Sequence, residues 1–284
     1  MKNKDFSIKF WGVRGSIPTP GKNFKKYGGN TPCVEVRCGE TILIFDAGTG
    51  IRDLGISYAK EFQDRPHEIN LFISHTHWDH IQGFPFFSYI YMKSKTINIY
   101  GGHYYIDLKT LLSGQMKKEY FPVQLENLPS NLKYSDITTE NSIAIGDISV
   151  FHTYLLHPAM SLGYRVEYKN KVFVYATDNE LIKNIEMPDF NMQNLDLLIK
   201  NADMLVAECQ YSDREYPAKV GWGHSTIEGV VGIAKKFGVR RLYAFHHDPY
   251  HTDADIDKMI LEGKNLAGKT LKIFGAREGQ TVYI

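Results

Sequence analysis

The sequence predicts an α/β protein, an αββα four-layer sandwich in which two mixed β-sheets pack together and helices flank them. Two observations carry this. Short β-rich runs alternate with helix-period runs along the whole chain, and the second half loosely repeats the plan of the first. In both halves, apolar strand-like runs end directly in polar residues able to bind a metal. The 284 residues, 43% of them hydrophobic, suffice for a large core, and no linker or low-complexity stretch divides them. A single domain over 1–284 is therefore expected.

The first hairpin is CVEVRC (33–38) with TILIFD (41–46), joined at Gly39-Glu40. Ile51, Leu54, Tyr58, Ala59 and Phe62 then recur at helical spacing, which lays one apolar face on a sheet. INLFIS (69–74) reads as a buried strand that runs straight into histidines. In the second half, LGYRVEY (162–168) and KVFVYAT (171–177) form another hairpin, turning at Lys169-Asn170 and leading to Asp178. Residues 225–237 read as a helix: Ser225 and Glu228 make a capping box, Ile227, Val230, Val231 and Ala234 form the apolar face, and Gly238 ends it. RLYAF (241–245) is a strand leading into His246. A last helix begins near Asp253, and TVYI is the final strand.

Bulk properties exclude several classes. A formal net charge of +1 gives no whole-molecule attraction for nucleic acid or acidic membranes, and Lys22, Lys25 and Lys26 read as a solvated loop. Three cysteines without C-x-x-C spacing argue against a disulfide framework and for a reducing, cytoplasmic setting. The opening MKNKDFSIKFWGVRG does not read as a signal peptide, so none is expected, and no run approaches the ~18 apolar residues of a membrane span.

The chemistry is concentrated in SHTHWDH (74–80). His75 and His77 straddle one residue, so both project to one side of an extended chain. Asp79 and His80 follow on a turn. Four ligands in six residues at a strand end can hold two metal ions, and imidazole with carboxylate suits zinc, manganese or iron.

H-x-H-x-D-H resembles the signature of the metallo-β-lactamase superfamily, and further motifs follow in the superfamily's order. FDAGTG (45–50) looks like the motif whose aspartate, here Asp46, orients the ligand loop from behind. His157 in LLHPAM, Asp178 in YATDNE and His246 in YAFHHDP look like the later ligands. The resemblance implies a first metal held by His75, His77 and His157, a second held by Asp79, His80 and His246, and Asp178 bridging them. It also makes Asp79 part of the catalytic set. Zinc is the metal expected, with manganese or iron as alternatives. His247 rivals His246, while His103 and His251 read as structural or solvent-exposed.

ADMLVAECQ followed by GWGHSTIEG resembles the ribonuclease Z and cyclic-nucleotide phosphodiesterase branch. This resemblance implies that His224, paired with Glu208, protonates the leaving alkoxide. The segment WGVRGSIPTPG…KYGGNTPCVEV also matches the branch, which makes Asn30, Thr31 and Arg14 candidate substrate contacts. Residues 91–140, with Tyr100, Tyr104, Tyr105, Tyr120 and Phe121, lack the basic, glycine-rich arm by which ribonuclease Z grips transfer RNA. The expected substrate is therefore a small phosphodiester such as a cyclic nucleotide. An RNA 3′-end endonuclease, a thioester or lactone hydrolase and a silent metal-containing binding module stand as alternatives. A homodimer is the expected assembly, and no membrane partner is expected.

Overall fold

The computed structural model describes residues 5–63, 65–102, 105–137, 142–181 and 189–284. Two compact units emerge. The first comprises Met1–Pro18, Asn30–Thr138 and Glu278–Tyr283; the second comprises Thr19–Gly29, Thr139–Arg277 and Ile284.

The first unit contains strands β1 (Phe6–Gly12), β2 (Cys33–Cys38), β3 (Thr41–Phe45), β4 (His67–Phe72), β5 (Lys95–Gly101), β6 (Asn131–Asp136) and β14 (Thr281–Tyr283). Its helices are α1 (Ile51–Phe62), α2 (Trp78–Ile81) and α3 (Leu108–Gly114). Its sheet runs β14-β1-β2-β3-β4-β5-β6. β14, β1, β2 and β3 pair antiparallel, whereas β3, β4, β5 and β6 pair parallel. β1 alternates buried and half-buried residues, as one covered face requires, while Asn70 to Phe72 in β4 are all buried. The α1 face is made by Ile51, Leu54, Gly55, Tyr58 and Phe62, with Gly55 seated where Ala59, only half-buried, was expected to help. Packing explains this: a Cβ on Gly55 would crowd Phe87 and Ser88. Ile51, Leu54, Tyr58 and Phe62 join Ile44, Ile69, Leu71, Ile97 and Ile99 in one core.

The second unit contains β7 (Ser142–Ile145), β8 (Ile148–Leu155), β9 (Ser161–Tyr168), β10 (Lys171–Ala176), β11 (Met204–Glu208), β12 (Arg241–Phe245) and β13 (Lys272–Gly275). Its helices are α4 (Asp189–Ile199), α5 (Ile227–Lys236) and α6 (Asp253–Ala267). Its sheet runs β13-β12-β11-β10-β9-β8-β7 and has the same internal plan: β10 to β13 pair parallel, β7 to β10 antiparallel. The β9–β10 turn is at Lys169-Asn170, both with positive φ (48° and 60°), the conformation a two-residue hairpin turn demands. Ile227, Val231 and Ala234 of α5 pack with Leu205, Leu242 and Ile273 of the sheet.

The start of α5 differs from expectation. Thr226, not Ser225, is the cap, its side chain accepting from the Gly229 amide at 3.1 Å. The Ser225 hydroxyl instead donates to the Asn179 carbonyl and accepts from the Leu181 amide at 2.9 Å. Glu228 accepts from the Asp213 amide at 3.3 Å rather than closing a box. Helix α6 carries the capping box, between Thr252 and Asp255. Cys33, Cys38 and Cys209 are buried thiols, and among the described residues no helix is long and apolar enough to cross a membrane.

Candidate metal centre

Parallel strands deliver their carboxyl ends to one edge of a sheet, where ligands gather. In the first unit β3 ends at Asp46 and β4 leads to Ser74, His75 and the one-turn helix α2. Asp46 has φ 63°, a left-handed conformation that turns its carboxylate off the strand direction. It accepts from the Ser74 amide at 2.7 Å, the Ser74 hydroxyl at 2.8 Å and His80 Nδ1 at 2.7 Å. Because the Ser74 hydroxyl donates to Asp46, it accepts from His75 Nδ1, 3.1 Å away. Rings of His75 and His77 lie 4.5 Å apart, and those of His75 and His80 lie 4.2 Å apart. Asp79 Oδ2 is 3.3 Å from His80 Nε2 and accepts from the Ser16 amide at 2.8 Å. His75, Asp79 and His80 are buried, and His77 is exposed. Gly48 sits where a Cβ would overlap the Asp79 carbonyl, so the DAGTG turn needs glycine there.

The second unit repeats the device. Asp178 follows β10 with φ 50°, and His246 follows β12 with φ 55°. His246 Nε2 lies 3.4 Å from Asp178 Oδ2, while its Nδ1 donates to Gln210 Oε1 at 2.9 Å. The Gln210 amide nitrogen points at the Tyr211 hydroxyl and Asp248, which fixes the amide orientation and hence the His246 tautomer. His157 Nδ1 donates to the Gly223 carbonyl at 3.0 Å. His224 Nδ1 is 3.7 Å from both Asp178 Oδ1 and Glu208 Oε2, and its ring stacks on His246 with centroids 5.2 Å apart. Ligand atoms of His157, Asp178 and His224 lie within 4.8 Å of one another, as do those of Glu208, His224 and His246. His247 turns elsewhere, to the Ala276 carbonyl and the edge of Tyr27.

Glu208 is fully buried at the end of β11. Burial, then the neighbouring Asp178 charge, pushes its carboxyl well above the usual 4.5, against the pull of the Ser225, Asn179 and Gln210 amides.

The residues present fit divalent metal ions. His75, His80, His157 and His246 each give Nδ1–H to a fixed oxygen acceptor, which leaves Nε2 as the lone-pair atom a metal takes. The carboxylates of Asp79 and Asp178 complete an N/O donor set suited to zinc, manganese or iron.

Each unit thus brings together one part of the expected set: Asp46, His75, His77, Asp79 and His80 in the first, His157, Asp178, Glu208, His224 and His246 in the second. The expected substrate contacts Asn30, Thr31 and Arg14 all lie in the first unit. Thr31 is buried, its hydroxyl and amide engaged with Thr49 and Gln82. Asn30 is tied to Glu278 and accepts from Thr49. Arg14 is wholly buried in the first unit. His251 pairs with Glu215 at 2.6 Å, and His103 and Tyr104 lie outside the described residues. Ser74, Asn179, Glu180 and Gln210 were not singled out from sequence. Ser74 and Gln210 adjoin recognised motifs, but only long-range proximity reveals what they hold.

A family model described as beta-lactamase superfamily domain matches residues 41–247. Ribonuclease Z of Thermoplasma acidophilum is 23% identical over 88% of this chain and 88% of its own. Among solved structures, the metallo-β-lactamase fold protein YhfI from Bacillus subtilis superposes with a TM-score of 0.69 at 19% identity, covering 98% of each chain. The short form of human tRNase Z gives 0.68 at 19% identity, covering 98% of this chain and 99% of that one. The two seven-stranded mixed sheets with flanking helices are those of this fold class.

Proposed function

This chain belongs to the metallo-β-lactamase superfamily, and we propose that it is a two-metal phosphodiesterase of the ribonuclease Z type, cleaving RNA near its 3′ end. The observation that carries the reaction class is the donor set: four imidazoles held by Nδ1, two buried aspartates, and a buried Glu208 beside His224. The substrate comes from the relatives, since Ribonuclease Z of Picrophilus torridus, like that of Thermoplasma acidophilum, aligns along most of its length, with 92% of this chain covered.

In this reading His75, His77 and His157 would hold one ion and Asp79, His80 and His246 the other, with Asp178 available to both. When bound, the two ions supply Lewis-acid charge for the phosphoryl oxygens and a nucleophile at neutral pH. His224 does the proton work. Its Nδ1 lies 3.7 Å from both Glu208 Oε2 and Asp178 Oδ1, so that side of the ring is turned to the strand ends and Nε2 is left to protonate the leaving alkoxide. Glu208 orients that ring while its other contacts, the Ser225 and Asn179 amides, pin it at the strand end. Asn30 and Thr31 serve indirectly, by holding Thr49 in the loop that carries Asp46.

A small phosphodiester is the second reading. Among the described residues of 91–137, β5, α3 and β6 are built into the first unit, β6 pairing with β5 from Asn131 to Asp136. Zinc-loaded protein offered a 3′-extended transfer RNA precursor and, separately, cyclic nucleotides distinguishes the two. Cleavage of the precursor with release of its trailer supports the first reading. Turnover of cyclic nucleotides alone replaces it with the second.

A further inference from the structure

We infer that Glu180 is a positioning residue, whose carboxylate anchors the loop before His224 and, through the Gly223 carbonyl, holds His157 in its ligand tautomer; this rests on the metal reading above. Glu180 is 3% exposed. Its Oε1 accepts from the Tyr216 hydroxyl and the Gly221 amide, both at 2.7 Å, and its Oε2 from the Gly223 amide at 2.8 Å. Gly221 and Gly223 have φ 84° and 85°, the left-handed conformation that here turns both amides onto one anion.

The loop buries little apolar surface, and Lys219 lies over the rings of Trp222 and Tyr211 at 4.0 and 5.5 Å. Val220 and Trp222 are 50% and 57% exposed, and the short helical turn at Tyr216–Ala218 has no buried residue. A segment with so little apolar burial has low local stability, so three hydrogen bonds to one buried carboxylate contribute strongly to its position. From Gly223 the effect runs two ways. Its carbonyl accepts from His157 Nδ1 at 3.0 Å, and a Cβ there would overlap that ring, so carbonyl and imidazole share one tight fit. Its successor is His224, pinned on the far side by the Ser225 amide bonded to Glu208 at 2.7 Å. The Glu180 amide also donates to the Leu156 carbonyl at 2.7 Å, and Asn179 Oδ1 accepts from the Leu156 amide at 3.0 Å. The two residues after Asp178 therefore stitch the His157 and His224 segments to the strand end that carries the carboxylate.

The test is residue-resolved amide exchange on the full chain, metal-free and zinc-loaded, with zinc affinity measured by competition against a chromophoric chelator. In Glu180→Ala, exchange at Gly221 and Gly223 is expected to rise about tenfold or more, with β11 and α5 unchanged. One zinc site is expected to weaken by roughly ten- to a hundredfold. Glu180→Gln, which keeps an amide oxygen as acceptor, restores part of both. Unchanged exchange at the two glycines, or equal acceleration throughout β11 and α5, overturns the inference. If the alanine variant does not fold, the glutamine variant decides on the same two amides. A wild-type chain that binds no zinc sinks the metal reading, whereas the metal-free exchange pattern still judges the anchor.

Discussion

At the scale of single residues, the site is a problem of tautomers. A histidine binds a metal only through an unprotonated nitrogen, and here Asp46, Ser74, Gln210 and the Gly223 carbonyl each fix the other nitrogen. Asp46→Ala is expected to weaken zinc binding by roughly ten- to a hundredfold, read by chelator competition; unaltered affinity contradicts the orienting role. His224→Ala is expected to keep both metals yet lose about two to four orders of magnitude in turnover on a substrate with an alkoxide leaving group. Retained activity there removes the general-acid assignment. Glu208 makes a pH prediction. Its raised pKa means the folded metal-free chain holds this proton more tightly than the unfolded chain does. The associated stability is complete below about 4.5 and is lost as pH rises through the folded value. Metal-free wild type should therefore lose melting temperature relative to Glu208→Gln as pH rises above about 4.5; parallel curves contradict it. The sequence displayed the ligand types, because His and Asp crowd at strand ends. It did not display Gln210 or Glu180, since an amide oxygen or a loop anchor has no local signature.

At the scale of elements, legibility followed the physics of each connection. The Lys169-Asn170 and Gly39-Glu40 turns were readable because hairpins restrict their turn residues. Residues Leu205 to Ala207, Leu242 to Ala244 and Val174 to Ala176 are buried without alternation, as parallel strands must be. The cap of α5 was misplaced by one residue because Ser225 and Thr226 are both good caps, and the choice was made by Asn179 and Leu181, which the local sequence does not contain. Thr226→Ala is accordingly expected to cost about 1 kcal/mol in urea unfolding while leaving metal content intact. Ser225→Ala should instead disturb zinc binding, since Ser225 bonds the residues next to Asp178. Equal effects on stability alone from both variants would contradict that division.

At the scale of the whole molecule, the two units are built on one plan: seven strands, three parallel and three antiparallel pairings, and left-handed residues where parallel strands end. The loose repeat in the sequence was the visible trace of this plan, and the ordered motifs carried the family. Composition over 91–140 speaks to one recognition device and not to the reaction, so by itself it does not choose between RNA and a small phosphodiester. Removing either His75 or His246 should abolish activity. The most direct measurement is hydrolysis of bis(p-nitrophenyl) phosphate, with metal content assayed on the same sample before chelation, after it and after reloading. The account predicts about two divalent ions per chain, activity lost with them and recovered on their return. A chain that holds both ions and leaves the phosphodiester intact, or cleaves it equally well without them, contradicts the account.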